Sequence, residues 1–268
     1  MPLHRMIGAE LRKVLTRGSG WAGLALSAGF PVLVLALMYY ARSQMGGDDA
    51  SMTINNNPLS QMMAFEVQTA LDYALTLRNF IVMKLVILMV TAQLFAGEWS
   101  ERTLRSLLVR PVPRWGVLTA KTAALWLYAG LCTLITFLLT LLPAMALFDF
   151  ELEIDQVCLG FLASWAADLG IIALGVAVST ISPSVVGVVV GTIAFVIFEF
   201  MFRMGLKGAS LVGWDTADAI EPWMPGNALD AWQGYTDGWD TQSLGGLAAL
   251  VAIALAVAIF RFQRTDVP

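Results

Sequence analysis

From Leu118 to Phe148 the chain carries a single charged side chain, Lys121. Crossing the hydrocarbon of a bilayer takes about 20 apolar residues, and helices of soluble domains average about 11–12. A run of this kind belongs in a membrane. Five more segments read the same way: Trp21–Ala41, Phe80–Gly97, Val157–Ile181, Val185–Phe202 and Leu244–Phe262. The Leu118–Phe148 run exceeds one crossing, so it is tilted, bent near Pro143 or partly outside the bilayer. Charged residues make up 13% of the chain and hydrophobic ones 58%, with a mean hydropathy of +0.72. Soluble domains carry about twice that charge. The fold class is therefore all-α integral membrane, with six transmembrane helices in residues 19–262.

Residues 1–18 precede the spans. At the helical period Leu3, Ile7, Leu11, Val14 and Leu15 share one arc, with Arg5, Arg12, Lys13 and Arg17 opposite and Glu10 at the edge. This is an amphipathic interfacial helix, predicted to lie flat with its cations toward anionic membrane lipid. A signal peptide is excluded, because the apolar run that follows is too long and lacks a small-residue cleavage site. With the N-terminus in the cytoplasm, eleven cations fall inside (Arg5, Arg12, Lys13, Arg17, Arg102, Arg105, Arg110, Arg114, Lys121, Arg261, Arg264) and four outside (Arg42, Arg78, Arg203, Lys207). The positive-inside rule then sets both termini, including the tail 263–268, on the cytoplasmic side of a cell membrane. Cys132 and Cys158 read as small core residues rather than a disulfide or metal pair.

Between the second and third spans lies a polar island, residues 98–117. Pro111 stops any helix within it, and Ser100 is a candidate cap. Leu104, Leu107 and Leu108 form one apolar stripe, with Arg102 and Arg105 off it. Such a helix is either a docking ridge or an ordinary basic cytoplasmic loop.

The run Glu98…Thr103-Leu104…Leu107-Leu108…Arg110-Pro111-Val112…Arg114…Lys121 resembles the signature of permease subunits of ATP-binding-cassette (ABC) transporters, the type 2 export family. Arg102 stands where that family has glycine. The resemblance implies a coupling helix seated in a separate ATPase subunit, with Glu98, Glu101, Arg102, Thr103, Leu104, Arg105, Leu107, Leu108, Arg110 and Arg114 as its interface residues. It also implies that helix 1–18 is an elbow helix, and that two permeases (a homodimer) work with two ATPases. ATP and Mg would then sit on the ATPase and no cofactor on this chain, which has no Gly-x-x-x-x-Gly-Lys-Ser/Thr phosphate loop. The lone histidine, His4, excludes histidine-dependent proteolysis and a multi-histidine metal centre. Nothing points to nucleic acid.

Lys84, Asp168 and Glu199 sit within spans, where charge is costly. Asp168 is near mid-span; Lys84 and Glu199 fall toward the outer ends. Either the three line a translocation path, or Lys84 snorkels outward and Glu199 pairs with Arg203 or Lys84. Gly187 and Gly191 form a small-xxx-small motif, suited either to a dimer seam or to packing within one subunit. The outer segments are 42–79, with a helix following Ser60, and 203–243, rich in Trp, Pro and Asp. The second corresponds to the family's re-entrant element, and either one can dock an accessory protein. The rival readings are an ion-coupled secondary transporter with Asp168 as proton site, and a non-transporting scaffold or sensor.

Overall fold

The computed structural model describes residues 2–44, 67–79, 81–100, 113–148, 154–211, 213–220, 223–230 and 241–264. Every regular element among them is helical: α1 Leu3–Thr16, α2 Gly18–Gln44, α3 Val67–Asn79 and α4 Ile81–Ala92, which continues through a π-helical turn Gln93–Gly97 into α5 Glu98–Ser100. After the island come α6 Arg114–Leu147, α7 Ile154–Ser179, α8 Val185–Leu211, the short α9 Asp215–Ile220 and α10 Pro225–Leu229, and α11 Thr241–Arg264. Five of these are long and apolar enough to cross a membrane, and the pair Val67–Asn79 and Met83–Gly97, bent by 41°, brings the number to six when it is counted as one span. Val32, Leu37, Leu134, Leu142, Val186, Phe198 and Met201 are exposed on the bundle's outside, as side chains facing lipid tails are.

Boundaries differ from the sequence expectation where polar residues extend a helix. The fifth span continues from Phe202 to Leu211, so Glu199 lies near the middle of α8 rather than at its outer end. The second span begins at Val67, which moves Lys84 inward in the same way. The helix expected after Ser60 is present from Val67. Leu118–Phe148 is one helix that starts at Arg114 and runs through Pro143. Ser100 is itself helical rather than an N-cap.

α6 is the central post, packed against α1, α2, α3, α4, α7 and α11. It buries Thr122, Thr133, Thr136 and Thr140 in an apolar setting. Each hydroxyl donates to the carbonyl four residues back (2.7–3.1 Å), so no donor is left dry. Trp126 of α6 and Trp165 of α7 stack at 4.4 Å, each indole donating to the other's backbone carbonyl at 3.1 and 2.9 Å. This reciprocal staple fixes the two helices in register. On the other side Tyr128 Oη donates to Gly20 O at 2.8 Å, and a Cβ on Gly23 would lie 2.1 Å from the Tyr128 hydroxyl oxygen. Two arginines finish helix ends. Arg42 donates to Leu147 O (2.8 Å), and Arg114 to Phe262 O and Gln263 O (both 3.2 Å), satisfying terminal carbonyls at the negative end of each helix dipole.

The Gly23–Tyr128 contact gives a compensation test. Gly23→Ala is expected to lower stability in detergent by about 1–3 kcal/mol through overpacking, and adding Tyr128→Phe to recover part of that loss. Equal or greater loss in the double variant would show that the hydroxyl is not what limits the site.

Candidate functional site

The root of the island is built by a defect in a helix. At Gln93–Gly97 the second span widens into a π turn, a form common at functional sites because it offsets backbone carbonyls from their usual partners. Cations meet those carbonyls here. Arg17 Nη1 donates to Gln93 O at 2.9 Å and Lys121 Nζ to Leu94 O at 3.1 Å. Ser19 Oγ donates to the Gln93 side chain.

Directly beyond the π turn Glu98 is buried in a closed ring of ion pairs. Lys121 Nζ donates to Glu98 Oε2 at 2.7 Å and to Glu10 Oε2 at 3.0 Å. Lys13 Nζ donates to Glu98 Oε1 at 3.0 Å and to Glu10 Oε1 at 2.8 Å. All four carboxylate oxygens are engaged, and with Leu94 O the three hydrogens of Lys121 are used. The Lys121 side chain is 1% exposed and Lys13 38%. The ring joins α1, the end of the second span and α6, and carries no net charge. Burial pushes the Glu98 carboxyl up, but Lys121 and then Lys13 outweigh it and hold it below the usual carboxylate range. Burial likewise opposes the Lys13 charge, and Glu10 and Glu98 outweigh it, raising that ammonium above its ordinary value. Glu98 and Lys13 are therefore both charged at neutral pH.

The two ends of the island also converge on the last helix. Trp99 packs edge-on against Phe262 at 6.1 Å between centroids, and Arg114 caps the α11 carbonyls from the other end. Of the expected interface residues, Glu98 and Arg114 are thus placed; Glu101, Arg102, Thr103, Leu104, Arg105, Leu107, Leu108 and Arg110 lie outside the described residues. The amphipathic helix departs from expectation in one respect. Glu10 is its buried centre rather than an edge residue, and Lys13 and Arg17 bind protein groups instead of facing outward, leaving Arg5 and Arg12 on its exposed face.

A second polar cluster lies inside the bundle. Asp168 Oδ2 accepts from Arg78 Nη2, which also donates to Thr133 Oγ1; Nη1 donates to Ser164 Oγ and, at 3.5 Å, to Asn79 Oδ1. Arg78 and Asp168 are 1% and 2% exposed. The charge pattern assigns Arg78 to the outer loop, and the structure corrects this: on α3, it is buried against α6 and α7. Val67, Ala70, Leu71, Ala74, Leu75 and Arg78 share the buried face, so its place on an apolar stripe was the signal available. Asp168 is thus the counter-ion of Arg78.

Lys84 and Glu199 belong to a third cluster and do not pair with each other. Lys84 Nζ is 3.5 Å from Asp230 Oδ1, while Glu199 has Arg203 Nε at 3.9 Å, the expected i, i+4 partner. Gly187 and Gly191 face their own chain. A Cβ there would lie 2.2 Å from Ser182 Oγ and 3.1 Å from Val178 Cγ1 respectively.

Residues 6–202 match the family model described as ABC-2 family transporter protein. That match runs from within α1 through the whole island and ends inside α8, the fifth crossing. The chain belongs to the ABC-2 family. No curated protein sequence matches it. It is accordingly a multi-pass membrane protein and the permease component of an ABC transporter, a subunit without its own ATPase that partners an ATP-binding subunit.

The clusters of this permease yield three predictions. Lys121→Met leaves Glu10 and Glu98 buried with one cation fewer, and is expected to cost roughly 3–5 kcal/mol in unfolding measurements. Arg78→Met should cost about as much, and Arg78→Met with Asp168→Leu to recover most of it. With Glu98 held below its unfolded value, its contribution is present above the usual carboxylate range and lost as pH falls through its lowered value. The contribution of Lys13 is lost only as pH rises past the ordinary lysine range. A melting curve of the detergent-solubilised permease against pH should therefore be flat through neutrality with an acid limb, and Glu98→Gln should lower the plateau and shrink that limb.

Proposed function

We propose that this chain is the transmembrane subunit of an ATP-driven exporter in the cytoplasmic membrane, with both termini inside. Residues 98–117 form the lever: the Leu104/Leu107/Leu108 ridge seats in a separate ATPase that carries ATP and Mg, and the arginines around it orient the contact. The observation that supports this reading is the fastening of the island's two ends. Glu98 is held through the ring to α1 and α6, Trp99 packs on the last helix, and Arg114 caps that same helix. A loop left loose at its ends would absorb a displacement. One fixed at both passes it to four helices.

The working unit is two permeases and two ATPases. Gly187 and Gly191 each have a close neighbour in their own chain, and the exposed Val186, Val190 and Ile197 form an adjoining face of α8 on which the two permeases would pair. Alternating access then follows from closure of the ATPase pair. With 67–79 and 203–211 belonging to the crossings, residues 45–66 and 212–240 are where an accessory protein would dock.

Replacing both Leu104 and Leu107 with glutamate tests the lever. The double variant is expected to insert and fold, since both substitutions fall in the polar island rather than in an apolar crossing, while ATP hydrolysis no longer drives export in inverted vesicles containing the complete transporter. Full coupling in that variant would remove the assignment.

A further inference from the structure

The short helix α10, between the fifth and sixth crossings, is held in a way that loop coupling does not use. Its Leu229 is buried against α7 at Gly170, where a Cβ would come within 2.7 Å of the leucine. Its polar contacts converge on two cations. Arg203 Nη1 donates to Asn227 Oδ1 at 2.6 Å and Nη2 to Asp230 Oδ2 at 3.2 Å, while Lys84 reaches Asp230 Oδ1 at 3.5 Å. One carboxylate thus ties α10 to both the second and the fifth spans. It is also accessible, with the Asp230 side chain 32% and Lys84 22% exposed.

Glu199 is treated differently. It lies one turn before Arg203 on α8, wedged beneath α10, where a Cβ on Gly226 would be 2.2 Å from its Oε2. Its Oε1 is buried without a hydrogen-bond partner among the described residues, and Arg203 Nε stands off at 3.9 Å. A buried carboxylate lacking hydrogen bonds is costly. With α10 docked, both terminal nitrogens of Arg203 serve α10 and Glu199 is left short. With α10 lifted, Glu199 meets water and the same guanidinium can pair with it at i, i+4. The two arrangements offset one another, which is the condition for a two-state element.

We propose that Arg203 is an exchange switch between two acids. It docks α10 against the second and fifth spans when it holds Asn227 and Asp230, and it releases α10 when it turns to Glu199. Asp230 and Glu199 are positioning residues that act through it with opposite sign: Asp230 favours the docked helix and Glu199 the lifted one. A purely structural cluster would instead weaken whenever either acid is removed.

The test reads docking in the permease alone, so its failure leaves the ATP-coupling reading untouched. In the full chain with Cys132 and Cys158 replaced by alanine, Leu229→Cys supplies one buried thiol, and its reaction rate with a water-soluble maleimide is followed in nanodiscs, open on both faces. When opening is fast, that rate tracks the population of the lifted state. D230N should speed labelling by roughly 5–10-fold, D230E should stay near the parent, and E199Q should slow it several-fold. Should D230N fail to fold, E199Q decides alone. Faster or unchanged labelling in E199Q overturns the proposal, as does an unchanged rate in a folded D230N.

Discussion

The bond between Lys121 and Glu98 is the constraint on which the rest of this permease depends. A lysine deep in the first turns of an apolar helix is expensive to bury. It is tolerated because Glu98, Glu10 and the Leu94 carbonyl take its three hydrogens. Those three acceptors come from separate elements, so the ammonium is satisfied only when α1, the π turn and α6 are assembled together. Lys13 then closes the ring from the exposed side. The position of the island between the second and third crossings follows from that assembly.

Charge is used in this bundle as joinery. The apolar faces of six crossings have little preference among partners inside a lipid that is equally apolar. Directional contacts therefore choose the neighbours: the ring at the island end, Arg78 with Asp168 between α3, α6 and α7, and the Trp126–Trp165 staple. Each unites helices distant in sequence. The Arg203 cluster differs in leaving one acid, Glu199, poorly served, and that difference separates a movable contact from a fixed one.

Much of this was legible in the residues. Runs of apolar side chains announced the crossings, and the Glu98–Lys121 pattern pointed to the family. The positions of single charges were less legible. Arg78 follows an apolar stripe and was counted with the outer loop because the second span was begun at Phe80; a helix starting at Val67 carries it inward. Glu10 looked like an edge residue because amphipathicity assigns charge to the solvent side, and it cannot anticipate a lysine arriving from a helix more than a hundred residues away. Asp230 and Asn227 had no pattern to reveal them, since their role depends on how α10 folds back. Gly187 and Gly191 illustrate a different limit: spacing shows that something approaches closely, never which chain it comes from.

In the proposed transporter, residues 98–117 are gripped by a nucleotide-driven subunit on the cytoplasmic side. A photo-crosslinking amino acid at Leu107, introduced into the full-length permease in its native membrane, tests this most directly. Irradiation is predicted to yield one dominant adduct whose partner is an ATP-binding-cassette ATPase, with a yield that changes when ATP is trapped in the complex. An adduct with lipid alone, or reaction of this position with a membrane-impermeant reagent added outside intact cells, would contradict it.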